Sequence, residues 1–211
     1  MRIAERVSHD ATGIRQFSFT LNHPPMRKFV RSLALVAGLA APLSIASAQG
    51  GFGVGSKLFS VGLLGGSTGY GLGAGAAFEV GIKDFTPEVS LGIGGFAGFT
   101  QKTVNYGVVA SNYSYTLRSI PVAAIGNVHY KIKDQPKLDL YGGLNLGFVK
   151  YSYSSSVTGF NSDNLGSSDV ALGLNVGARY DLTSSVAGLL QLSGGSNFPL
   201  YFVGVTFKMG K

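Results

Sequence analysis

Residues 119–148 read SIPVAAIGNVHYKIKDQPKLDLYGGLNLGF. Ile120, Val122, Ala124, Val128, Tyr130 and Ile132 alternate with Ser119, Pro121, Ala123, Asn127, His129 and Lys131, and Ile125 is the one apolar misfit in the second set. After the charged link Lys133-Asp134-Gln135-Pro136-Lys137 the period resumes, with Leu138, Leu140, Leu144, Leu146 and Phe148 against Asp139, Tyr141, Gly143, Asn145 and Gly147. A period of two belongs to β-strands, whose successive side chains point to opposite faces. The stretch is expected to be a hairpin with one greasy face and one small or polar face. Each arm is long enough to cross a bilayer, for which a tilted strand needs about 9–11 residues.

The same period recurs along most of the chain. Eight alternating segments follow residue 57: 57–64, 70–82, 87–100, the two arms of the hairpin, 168–182, 186–194 and 200–209. The Gly-rich stretch 49–56 in front of them reads as a loose lead-in. The links after segments two, four and six are short, whereas 101–112 and 154–167 are long loops rich in Tyr, Ser and Asn. With both termini on the side of the short links, every long loop falls on the opposite side. Bacterial outer-membrane barrels show this asymmetry, with short periplasmic turns, longer external loops and an even strand count. The fold expected is all-β, an eight-stranded antiparallel up-and-down transmembrane β-barrel.

Residues 26–48 have the build of a cleaved secretory signal. Met26-Arg27-Lys28-Phe29-Val30-Arg31 is basic, 33–43 is apolar, and Ala46-Ser47-Ala48 supplies a small-x-small cleavage pattern ahead of Gln49. The apolar run is shorter than the roughly 20 residues of a membrane helix. Residues 1–25 precede a complete signal and carry no periodic pattern, so they read as an extension from a mis-assigned start, and 49–211 as the barrel domain. Most of the chain's +7 formal charge belongs to the leader: residues 1–48 hold six Lys/Arg against two Asp/Glu, the remainder eleven against eight. A nucleic-acid partner therefore loses its electrostatic support. The absence of Cys excludes disulfides, thiolate metal sites and Cys nucleophiles.

The orientation of the two faces follows from what each could pack against. An eight-stranded barrel has an interior just wide enough for side chains to fill. The greasy series is continuous and nearly free of charge, while the opposite face carries Gly, Ser, Asn and most strand ionisables. The greasy face is expected toward lipid and the small, polar face inward. Tyr70, Phe99, Tyr130, Phe148, Tyr180, Tyr201 and Phe207 lie near segment ends, suiting two interfacial aromatic girdles.

The runs Ser119-Ile120-Pro121-Val122, Asn127-Val128-His129-Tyr130 and Leu138-Asp139-Leu140-Tyr141-Gly142-Gly143 resemble the small outer-membrane β-barrel family, similar in architecture to the OmpX and OmpA transmembrane barrels. The ending Val203-Gly204-Val205-Thr206-Phe207-Lys208-Met209 resembles the terminal strand read by the barrel assembly machinery, although this chain continues to Gly210-Lys211 where the family tends to stop on an aromatic. The resemblance implies fold and outer-membrane location, and little about activity. Its partners would be outer-membrane lipid and lipopolysaccharide, the assembly machinery during insertion, and an extracellular ligand of unknown identity, with the barrel a monomer.

Small barrels of this kind include lipid-modifying enzymes, which need a nucleophile, a base and an orienting group within reach. The segment after 48 has a single His, His129, without a Ser two residues away. No catalytic, cofactor-binding or metal residues are expected. The Gly-x-Gly pairs at Gly71-Gly73 and Gly92-Gly94 precede no helix, so phosphate-binding logic fails there. Glu79, Glu88, His129, Lys131, Asp139, Arg179, Asp181 and Lys208 fall on the inward parity toward the periplasmic half. Charges confined there must pair, and the expectation is a polar lumen network blocking that end below a Gly-lined cup open outward. Arg118 and Lys150 carry charge on the lipid-facing parity at the outer ends of neighbouring strands, where they would snorkel or contact lipopolysaccharide phosphates. The functional expectation is a structural or surface-binding role through the loops; a narrow channel is the alternative, and a lipid-modifying enzyme the third reading.

Overall fold

The computed structural model describes residues 2–8, 16–22, 51–66, 71–108, 111–155 and 166–210. The chain divides into two units, 1–43 and 44–211. In the first, β1 (Arg2–Ser8) pairs antiparallel with β2 (Gln16–Asn22), from Arg2 opposite Asn22 to Ser8 opposite Gln16. The extension in which no period is legible thus holds a two-stranded ribbon, an element of marginal stability by itself. The signal-peptide stretch 26–48 lies outside the described residues.

The second unit is a closed barrel of β3 (Lys57–Gly65), β4 (Leu72–Asp84), β5 (Val89–Val108), β6 (Ser111–Lys131), β7 (Leu138–Ser155), β8 (Gly166–Asp181), β9 (Val186–Ser196) and β10 (Tyr201–Lys208). Each strand pairs antiparallel with its sequence neighbour, and β10 closes on β3 from Tyr201 opposite Gly65 to Lys208 opposite Leu58. Closure leaves no sheet edge in the hydrocarbon, where an unpaired backbone group has no water to bond.

The faces divide as the period requires. Phe148, Leu174, Val176 and Leu144 are more than half exposed, whereas Glu79, Asn127, His129 and Asn145 are buried within the barrel. Phe99 and Phe148 mark the outer end of the exposed band and Tyr130 and Tyr180 the periplasmic end; Tyr70 lies outside the described residues. Two periplasmic turns share one construction. In Asp84-Phe85-Thr86-Pro87-Glu88-Val89 and Asp181-Leu182-Thr183-Ser184-Ser185-Val186, the Thr hydroxyl accepts the Val amide (3.1 and 3.0 Å), and the residue before Thr donates its amide to the Val carbonyl. This hydroxyl turn stands in for the missing ladder bonds at the reversal.

Two expectations are corrected. Residues 101–108 and 111–112 are not loop: β5 and β6 keep one register from Val89 opposite Tyr130 to Val108 opposite Ser111, with pairs missing only at Gly98 and Phe99, and each strand is about twice the ~9–11 residues needed to span the membrane. Val-Asn-Tyr-Gly-Val and Ser-Asn-Tyr-Ser-Tyr are β-formers interleaved with small polar residues, and cross-strand pairing holds them extended beyond the barrel rim. Nor is 51–56 a loose lead-in. It folds across the periplasmic mouth, with Gly55 N–H donating to Gly81 O and Gly81 N–H to Ser56 O, both at 2.9 Å. Gly55 adopts φ 81°, a conformation that L side chains rarely take, and a Cβ on Gly81 would stand 1.9 Å from Gly53 O.

Candidate functional site

The lumen is packed in two layers. The periplasmic layer is built around Glu79, placed by β4, whose alternation turns it inward opposite Gly94 of β5, with its carboxylate over Gly92, where a Cβ would come 2.5 Å from Oε1. One Glu79 oxygen accepts His129 Nε2 at 2.8 Å and Asn127 Nδ2 at 3.0 Å, and the other accepts Arg179 Nη2 at 2.8 Å. His129 Nδ1 lies 2.9 Å from Asp139, which also receives Arg179 Nη1 at 3.5 Å. Ionised carboxylates only accept hydrogen bonds, so a ring with a carboxylate at each nitrogen donates from both and is the imidazolium. Glu79 and Asp139 then balance His129 and Arg179 with no net charge. Rings complete the layer: Phe52 stacks on His129 at 3.8 Å between centroids, Tyr141 faces the same imidazole at 5.3 Å, and the Arg179 guanidinium lies 4.3 Å over the Tyr141 ring.

Of the eight inward ionisables, this layer brings together Glu79, His129, Asp139 and Arg179. Asp181 and Lys208 form a separate ion pair between β8 and β10 nearer the mouth. Lys131 donates to the Pro87 carbonyl at 3.3 Å, and the half-buried Glu88 carboxylate has no partner among the described residues. Sequence reasoning missed Phe52, Asn127 and Tyr141 as members. Tyr141 had a legible signal, since it shares the parity of Asp139 and faces Gly177, where a Cβ would come 2.4 Å from its ring. Phe52 had a weaker one, a lone large ring within Gly50-Gly51-Phe52-Gly53-Val54-Gly55.

The outer layer is apolar rather than an open cup. Leu64, Phe96, Phe198 and Phe202 are buried together with Leu189, and Ile125, the misfit of the sequence pattern, packs against them. Phe96 meets Phe198 at 5.6 Å and Phe202 at 5.7 Å, the latter edge-on, within the preferred range for aromatic pairs. Phe198 comes from the β9–β10 turn, which tucks inward after Asn197 at φ 56°. Gly75 and Gly98 create the room: a Cβ at either would come within 3 Å of Leu64 Cδ2.

At the outer rim Arg118 and Lys150 are exposed on the outward face, immediately above Ile120 and Phe148 of the apolar band. Arg118 lies opposite Ser152 and Lys150 opposite Ile120, so the two cations are diagonal neighbours across β6 and β7. Arg118 Nε donates to Gln101 Oε1 at 3.3 Å.

Residues 32–196 match the outer membrane protein beta-barrel domain family. Among solved structures the chain is similar to Ail, the attachment invasion locus protein of Yersinia pestis. In complex with the heparin analogue sucrose octasulfate, Ail is 15% identical, with 74% of this chain and 99% of Ail covered and a TM-score of 0.50. A second crystal structure of Ail gives 15%, 74%, 99% and 0.43, and its backbone structure in a phospholipid bilayer nanodisc 12%, 73%, 99% and 0.41. No curated protein matches. At such identity the likeness to Ail is one of fold. The family match covers well over half the chain, and with the closed eight-stranded barrel it means that this chain belongs to the outer membrane protein beta-barrel family and resides in the outer membrane.

Proposed function

We propose that this protein is a non-enzymatic, surface-binding outer-membrane barrel whose binding element is the β5–β6 ribbon. The observation that carries this reading is the length of the ribbon. β4 accompanies β5 only to Leu72 opposite Gln101, so among the described residues 102–108 of β5 have no strand on their other side. An exposed edge of this kind is a template for another extended chain. Ail, which shares the architecture, has been crystallised with a heparin analogue, and ligand capture by that barrel supports the reading by analogy. The commitment of both His129 nitrogens to carboxylates supports the non-enzymatic part, because a general base needs a free nitrogen within reach of a nucleophile. The nearby Ser90 hydroxyl is engaged as well, donating to the Phe52 carbonyl. The filled lumen weighs against a channel. Insertion by the barrel assembly machinery and action as a monomer complete the proposal.

Lys102 lies opposite Leu117, so an Asn-Gly turn joining them directly would replace 103–116 with a two-residue hairpin link suited to strand twist. Nanodisc-embedded protein exposed to an array of extracellular-matrix proteins and sulfated glycans is expected to retain a binder, and the shortened variant to lose it by about tenfold or more. An array without a binder, or one whose binder ignores the deletion, overturns the reading.

Arg118 and Lys150 extend the proposal to lipopolysaccharide. Phosphate oxygens at that height would accept charge-assisted hydrogen bonds from both. Arg118→Ala with Lys150→Ala is expected to lower co-purified lipopolysaccharide several-fold while leaving the yield of folded barrel intact, since charge near the interface costs only about 0–1 kcal/mol. Unchanged lipopolysaccharide would leave snorkelling as their role.

A further inference from the structure

We propose that the periplasmic mouth of the barrel is a binding site for peptides bearing free carboxylates and small apolar side chains, the chemistry that cell-wall stem peptides present to this face. Beneath the charged layer a cavity of about 230 Å³ opens between the β6–β7 turn and the segment 51–56. Its walls include Phe52, Leu58, Ile132 and Leu138, while six cations line it against three carboxylates. The deeper charges are already matched, Arg179 to Glu79 and Asp139, and Lys208 to Asp181. Lys57, Lys133 and Lys137 at the rim are exposed and have no partner among the described residues; among those residues Glu88 is the one unmatched acid that lines the recess, and Asp134 stands exposed in the same turn as Lys133 and Lys137.

Three exposed lysines against one unmatched acid in the lining of a partly apolar recess favour an anion with a short hydrocarbon group. The cavity falls below the roughly 300–1,000 Å³ of drug-sized sites, so it takes an end group rather than a folded surface. The termini and the short turns share this end of the barrel, which places the recess in the periplasm. The charged layer with Phe52 closes its inner end, so a ligand enters from the periplasm alone. The strand-facing lipid does not look into it, which favours a peptide carboxylate over a lipid phosphate. The proposal is independent of the outer ribbon.

The test is calorimetric titration of the full chain in zwitterionic nanodiscs with a soluble disaccharide-tetrapeptide from cell wall. The same compound with its carboxylates amidated, a linear L-peptide ending in Ala, and phosphatidylglycerol vesicles form the other arms. Binding of the tetrapeptide is expected, weakened about tenfold or more by amidation and by Lys57→Gln, Lys133→Gln and Lys137→Gln together. It should also fall with added salt, because exposed charge pairs are screened. Lys83→Gln, at the same end but outside the recess, should leave it unchanged. Preference for the tetrapeptide assigns the site to the cell wall, and preference for the L-peptide assigns it to a protein terminus. No binding of either peptide at about 10 mM, binding that ignores the triple substitution, or binding to the vesicles alone overturns the proposal.

Discussion

Replacing Glu79 by Leu is expected to lower the unfolding free energy of the barrel by about 3–5 kcal/mol, the loss that follows when one partner of a buried ionic group is removed. The residue is 1% exposed, and its carboxylate accepts hydrogen bonds from His129, Asn127 and Arg179. Leu keeps much of its volume and supplies no acceptor. The imidazolium and the guanidinium would then share Asp139 alone, leaving an uncompensated positive charge in a layer closed by Phe52 and Tyr141. Glu79→Gln should cost less, since its amide oxygen still accepts from Asn127. Removing both ends of the strongest pair, Glu79→Leu with Arg179→Leu, should recover part of the loss, with a coupling of about 1–3 kcal/mol between the two sites. The chain has no Trp, so urea unfolding in lipid vesicles is best followed by far-ultraviolet circular dichroism and gel mobility. A single-mutant loss below about 1 kcal/mol would mean that water reaches the layer and screens it.

What was legible in the sequence is what a period of two can encode. Val122, Leu144, Leu146 and Phe148 could be assigned to lipid and Asn127, His129 and Asn145 to the lumen, because a one-residue slip of any strand exchanges its two faces. Parity also put Glu79, Asp139 and Arg179 on the inner wall. Position along the strands put them toward the periplasmic half, but could not say which of the eight ionisables would meet, because that is set by register and shear around the closed barrel. Lys131 and Glu88 have the same parity and end outside the cluster for this reason. The ribbon escaped because Ser, Asn, Tyr and Gly between residues 101 and 112 read as loop by composition, whereas cross-strand pairs such as Thr103 with Thr116, 3.0 Å between hydroxyls, hold the described strands extended. Phe52 and Phe198 escaped for a different reason. Both lie in irregular segments whose position depends on a cavity that exists only once the barrel is closed.

Phe52→Ala is expected to release the segment 51–56 while the barrel stays folded. Burying a Phe ring is worth about 1.5–3 kcal/mol, and its stack on the imidazole adds roughly 0.5–1.5 kcal/mol. Val54 N–H to Asp84 at 3.1 Å and Ser90 Oγ to the Phe52 carbonyl at 3.1 Å hold the segment across the mouth only while the ring anchors it. Loss of the ring should therefore appear first as faster hydrogen exchange at the Gly55 and Gly81 amides, which bond each other's segments. Amides in the middle of β6 and β7 should keep their protection, because local opening draws on a smaller free energy than global unfolding. Planar-bilayer recording of the same variant separates a seal from a gate. Phe52 closes only the periplasmic layer, while Leu64, Phe96, Phe198 and Phe202 fill the outer one with no contribution from the N-terminal segment. An outer layer of which Phe52 is no member predicts that the variant carries no steady current. A steady large conductance on losing this one ring would instead make Phe52 the gate of a narrow channel, and would require the outer aromatic layer to open with it.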